Sequence, residues 1–177
     1  MRFVVTGEWS RNRLLQVIVF LYVLYVAALW LTNALLYFQK MSLSYDSVVS
    51  YYRGNEDLFL SPRSYQGLLE VSHFHLFAFG MLLLLMTHLM LFIPVRSSWK
   101  VWLISVPFLS GFLEEGASWL VRFGHPGFAY LKIAGFLLLQ TSLAVLIVIS
   151  LWAVSVGSSD HYGTEDFEDE LDELDGT

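Results

Sequence analysis

Four apolar stretches, at 14–38, 71–95, 101–123 and 127–156, take up most of this 177-residue chain. Each is long enough to cross a bilayer as a helix, which needs about 20 apolar residues. The hydrophobic share of 56% is that of a membrane chain, and the connections between stretches are too short for a second domain. The predicted fold is therefore all-α: a polytopic membrane four-helix bundle over 1–157. Its helices are expected at about 11–38, 62–95, 99–123 and 126–156, with a loop at 39–61 and an acidic, disordered tail at 158–177.

Local signals mark the ends. Ser10 is a candidate cap for the first helix. Ser61 followed by Pro62 is an N-cap and first-turn pair that starts the second, giving about 33 residues, or about 50 Å, whose first turns project from the membrane. Ser97 or Ser98 caps the third helix, Pro107 kinks it and Gly124 ends it. His125-Pro126 repeats the cap-then-proline pattern at the fourth. Within the loop, residues 44–52 suit a short interfacial helix rich in Tyr, followed by a turn at Arg53-Gly54-Asn55. Gly80, Gly111, Gly116 and Gly135 are candidates for close helix approach. The first apolar run is too long for a signal peptide and reads as a retained span.

The net charge of −6 conceals an asymmetry. Nine of the 16 acids follow Ser158, leaving seven against ten Lys and Arg, a body charge of +3. The tail reads as a solvated linker, although Phe167, Leu171 and Leu174 have the spacing of a helix induced on a basic partner. The bases are dispersed, which argues against nucleic acid. An even number of spans places both termini on one side. Arg11 and Arg13 precede the first span without an equally compact counterpart beyond it, so that side is read as cytoplasmic. The expected location is a bacterial inner membrane, with the 39–61 loop in the periplasm.

Inside or at the edge of these spans stand Glu70, His73, His75, His88, Glu114, Glu115 and His125. Ionisable groups are costly in hydrocarbon and are functional candidates by default. Threading the helices through a membrane brings all of them except His88 to the periplasmic side. Two chemistries suit them. Glu70 and His73 are three apart on one helix face, and Glu-x-x-His is a metal-binding pattern of four-helix bundles. With Glu114 or Glu115 opposite, Glu70, His73 and His75 could hold one transition-metal ion (Fe, Cu, Mn or Zn). A single such motif favours one metal over two. The second chemistry is bis-histidine haem b, pairing His73 or His75 with His125. His88 lies about 22 Å deeper than His73, where a second haem would need Met86, Met90 or another subunit.

Structural readings compete with these. Glu115 can pair with Arg122, Glu70 with Arg63, and His88 can bond Gln140 or Thr141. His125 can serve only as a cap, and the tryptophans can form the aromatic belt of a membrane protein. His73 and His75 point about 200° apart on a helix, so a regular helix presents only one of them to a given site. The chain has no cysteine, which excludes disulfides, thiolate metal sites and covalent haem attachment within it. No nucleophile arrangement, phosphate loop or nucleotide fingerprint is present.

The stretch MSLSYDSVVSYYRGN at 41–55, followed by LEVSHFHLF at 69–77, resembles a little-characterised family of bacterial four-helix membrane proteins. Some members carry an added c-type cytochrome domain and others are encoded near respiratory genes. The likeness spans about 10–156, with His73-Phe74-His75 its most specific part. It implies a membrane redox context with His73 and His75 as the matching positions. The chain lacks CxxCH, so it implies a separate electron-transfer partner. The leading expectation is thus a membrane subunit of a redox or respiratory system. It would bind haem b or a transition metal at His73, His75, His125 and His88, or with Glu70, Glu114 and Glu115, and pass electrons to another membrane or periplasmic subunit. The alternatives are a cofactor-free scaffold or assembly subunit and a small proton or metal transporter. Membrane lipid is an expected partner, and a homo-oligomer is compatible with the pattern.

Overall fold

A computed structural model describes the backbone of residues 13–91 and 96–175, with side chains up to Ala153. The order is α1 (Arg13–Lys40), α2 (Tyr45–Arg53), α3 (Tyr65–Met90), α4 (Ser97–Phe123), a 3₁₀ turn (Pro126–Phe128) and α5 (Ala129–Asp175). Among the described residues the only β pairing is an isolated bridge between Asn55 and Leu60. The four long helices run up and down. Tyr22 Oη donates to Leu82 O between α1 and α3 (3.2 Å), and Trp30 Nε1 donates to Gln140 O between α1 and α5 (2.9 Å). Lys100 Nζ donates to Leu91 O at the α3–α4 turn (2.7 Å).

Three helices are long and apolar enough to cross a membrane: Arg13–Lys40, Tyr65–Met90 and Pro126–Ala153. The expected fourth, α4, falls short because Lys100, Glu114, Glu115 and Arg122 share its 27 residues. It nevertheless runs antiparallel between α3 and α5, so its polar groups are turned onto neighbouring helices. The outer faces show the reverse pattern. Along α1 only Gln16, Val19, Val23, Val26 and Tyr37 are buried, while Leu14, Tyr25 and Leu35 are largely exposed. A soluble monomer rarely leaves so much apolar surface uncovered; in lipid it carries no penalty.

Two of the three packing centres lie at the ends of the bundle; the third, Leu83 of α3 with Leu139 and Leu143 of α5, lies between them. Towards the termini, Val19, Val23 and Val26 of α1 meet Met86 and Met90 of α3 and Leu146 of α5. Towards the loop, Tyr37 stacks on Phe136 (centroids 3.7 Å), with Val48 and Tyr52 of α2 and Val121 of α4 around them. The second centre depends on α2, which lies across the bundle end. Ser44 caps it by accepting from the Ser47 N–H, and Gly54 ends it with φ 84°, a conformation open to glycine.

Several ends differ from the sequence reading. The second long helix starts at Tyr65, capped by Ser64, instead of at Pro62 capped by Ser61. The reason is tertiary: the Arg63 N–H bonds to Tyr52 O (3.0 Å), pinning 61–64 to α2 as an extended strap. Neither serine caps α4, where Arg96 stands at the N-cap without a side-chain bond. The backbone of α5 continues to Asp175, through a segment expected to be disordered. No proline interrupts it, and extending a formed helix is far easier than nucleating one. The proposed Ser10 cap lies outside the described residues, as does Arg11; Arg13, the other arginine behind the orientation argument, is the first residue of α1.

Among the glycines named above, Gly135 makes the close approach. A Cβ there would sit 3.0 Å from both Cα and N of Glu114, whereas Gly80 and Gly116 have open space. Gly135→Ala should therefore force α4 and α5 apart and destabilise the fold by about 1–3 kcal/mol. Thermal unfolding of the detergent-solubilised protein checks this: the melting temperature should drop for Gly135→Ala and hold for Gly80→Ala. Equal temperatures for both variants would remove the steric argument.

Candidate functional site

Glu114 and Glu115 are consecutive on α4, so their side chains leave it about 100° apart. One reaches α5 and the other α3, although the two residues are 8% and 7% exposed. Glu114 forms an ion pair with Lys132 of α5, itself 4% exposed. The same ammonium donates to Glu114 O (3.2 Å) and Ser118 Oγ (2.9 Å), and lies 5.8 Å from the centre of the Tyr52 ring. Tyr52 Oη and Ser118 Oγ are 3.1 Å apart, which ties α2 into the network. Every proton of Lys132 thus has an acceptor, as a cation in a medium of low dielectric requires.

Glu115 faces α3. Its carboxylate accepts a short bond from Ser72 Oγ, and its other oxygen lies 3.0 Å from His75 Nδ1. Ser72 Oγ in turn accepts from Trp119 Nε1 at 2.7 Å. A relay therefore runs from Trp119 through Ser72 and Glu115 to His75. One ligand atom from each of His75, Glu114 and Glu115 lies within 4.8 Å of the others, close enough for one cation. An imidazole and two carboxylates form a donor set suited to iron, copper, manganese or zinc.

These groups line a cavity of about 440 Å³ that opens towards the strap at 61–64. Asn33, Tyr37, Lys40, Tyr51 and Arg63 complete its polar wall. Tyr37 Oη is buried and has no hydrogen-bond partner in the protein. At the rim the Arg63 guanidinium lies 4.1 Å over the Tyr51 ring. Burial pushes the Tyr51 phenol above its ordinary value, partly opposed by Arg63, so it stays a neutral donor at physiological pH.

Of the residues singled out in the sequence, the structure brings together His75, Glu114 and Glu115. The others stand elsewhere. His73 is exposed on the opposite face of α3, its ring edge-on to Phe74. Glu70 is exposed and accepts from Gln66 Nε2 (2.9 Å). His125 is exposed and accepts the Gly127 N–H on Nδ1 (3.0 Å), the work of a cap. His88 is exposed near the far end of α3, and Gln140 engages Trp30. The Arg122 guanidinium donates to Arg63 O (2.6 Å), while Glu115 takes His75 and Ser72. Sequence reasoning missed Lys132, Ser72, Ser118 and Tyr52. Lys132 had a usable signal, since it is the one lysine inside the last apolar stretch. Serines and a tyrosine in a membrane helix carry no such mark.

A family model described as a transmembrane helical domain matches residues 42–160, about two thirds of the chain. The chain belongs to this family of transmembrane helical domains. The matched segment begins beyond α1 and contains every member of the Lys132–Glu114 and His75–Glu115 network. No curated protein and no solved structure matches the chain.

Removing one partner of a buried ion pair strands the other charge, at about 3–5 kcal/mol. Lys132→Met should lower the melting temperature sharply, and adding Glu114→Gln should recover much of the loss. A double-mutant cycle measures this; additive effects of the two changes would mean that the pair does not couple.

Proposed function

We propose that this protein is the membrane subunit of a redox system and that it holds one transition-metal ion between His75 of α3 and Glu114 and Glu115 of α4. The observation that carries this reading is the convergence of three metal-ligating side chains from two helices on one point beside a cavity. A bound iron or copper ion would supply one-electron exchange. The residues around it have separable tasks. Ser72, held by Trp119, aims one oxygen of Glu115, leaving the other towards His75. Lys132 balances the second carboxylate and competes with a metal for it, so the site favours a cation that binds tightly enough to share Glu114. This favours a metal ion over haem b, because His73, His88 and His125 stand outside the cluster, exposed. The proposed setting is a bacterial inner membrane with both termini cytoplasmic. The partner would be another membrane or periplasmic redox subunit, such as a c-type cytochrome.

One observation favours a second reading. Both carboxylates already have protein partners, Lys132 for Glu114 and Ser72 with His75 for Glu115. That is what a polar lock of a non-catalytic scaffold would show.

Elemental analysis with a reduced-minus-oxidised visible spectrum, on full-length protein from its native host, separates the readings. The metal site predicts about one iron or copper per chain, lost in His75→Ala and Glu115→Gln and kept in His73→Ala and His125→Ala. A b-type haem band that disappears in His73→Ala or His125→Ala would overturn the assignment in favour of haem. Absence of metal and haem alike leaves the scaffold.

A further inference from the structure

The loop end of the bundle carries an unneutralised positive pair. Lys40 ends α1 and Arg63 lies on the strap, and among the described residues neither is within 4 Å of a carboxylate. They are near enough to repel each other, and Lys132 adds to that field. Lys40, Tyr51, Ser61 and Arg63 line both the inner cavity and a second groove on its outer side, of about 410 Å³. Asp46 also lines the groove but pairs with neither cation. Like charges held together at a cavity mouth raise the local potential and attract an anion.

The same groove has an apolar lip. The turn at 55–60 is closed by Asn55 N–H to Leu60 O (3.0 Å) and Leu60 N–H to Asn55 O (2.9 Å). It presents Leu58, Phe59 and Leu60 outward, with Phe59 95% exposed. Phe59 also takes φ 53°, a left-handed conformation that a bulky side chain adopts at a cost of about 1–2 kcal/mol. An exposed, strained Phe on the tip of a turn is a poor arrangement in water. It is a reasonable one where the tip meets acyl chains.

From these two features we infer that the groove between α2, the strap and the end of α1 binds an anionic phospholipid. The phosphate lies between Lys40 and Arg63, with Tyr51 and Ser61 as hydroxyl donors, and the acyl chains run along Leu58 and Leu60. Lys40 closes a membrane-spanning helix, so the cations sit at headgroup level. The groove shares Lys40, Tyr51, Ser61 and Arg63 with the inner cavity, but His75, Glu114 and Glu115 do not line it, so the site does not depend on a metal there.

Native mass spectrometry of the full chain in detergent tests the inference, with phosphatidylglycerol, phosphatidylcholine and glycerol phosphate as probes. Each cation near an anionic lipid is worth about fivefold in affinity, so the Lys40→Ala, Arg63→Gln double variant should lose about thirtyfold. Arg53→Gln, an exposed arginine that does not line the groove, should keep wild-type binding. Melting temperatures in phosphatidylcholine confirm that each variant is folded. Three outcomes would overturn the inference. One is equal retention of phosphatidylglycerol and phosphatidylcholine. The second is unchanged phosphatidylglycerol binding in the double variant. The third is glycerol phosphate binding as tightly as the lipid, which would make this a soluble-phosphate site.

Discussion

The buried ion pair between Lys132 and Glu114 is the constraint from which the rest of the loop end follows. A lone charge deep in a helix bundle in lipid costs about 2.5–3.5 kcal/mol on an insertion scale, so each partner is acceptable only beside the other. Gly135, one turn beyond Lys132, lets the α5 backbone come against Glu114 itself. Register and distance between α4 and α5 are set together. Once Glu114 is turned to α5, helical geometry aims Glu115 at α3, where Ser72 and His75 receive it.

Lipid removes most of the driving force that packs helices in water, since lipid tails are as apolar as leucine. The bundle uses different means at its two ends. Towards the termini, Val, Met and Leu side chains interdigitate between α1, α3 and α5. Towards the loop, hydrogen bonds and ion pairs join α2, α3, α4 and α5, and α2 closes the end as a lid of tyrosines. The polar end is also the one with a cavity, because charged groups satisfied by a few partners pack less completely than branched aliphatics.

That arrangement separates two electrostatic environments. On the cavity floor, acids and bases are matched and the groups are close enough to share a cation. At the rim, cations outnumber acids.

Much of the architecture was legible in the chain. Apolar run length determined the helices, and their alternation determined that Glu114, Glu115 and His75 share one end, because depth along a helix depends only on residue count. The interfacial helix with its turn at Gly54 was equally local. Azimuth was not legible. Whether His73 or His75 faces inward depends on which side of α3 meets α4, and only packing decided for His75. Glu70 and His73 satisfy the metal-binding spacing yet face away, and Lys132 lies 18 residues from the acid it neutralises. The start of α3 moved from Pro62 to Tyr65 because a backbone bond to α2 outweighed a good local cap. Sequence periodicity specifies each helix as an object with a length and an end. Rotation about its axis has no local cost, so it is decided only when helices meet and buried polar groups must find one another.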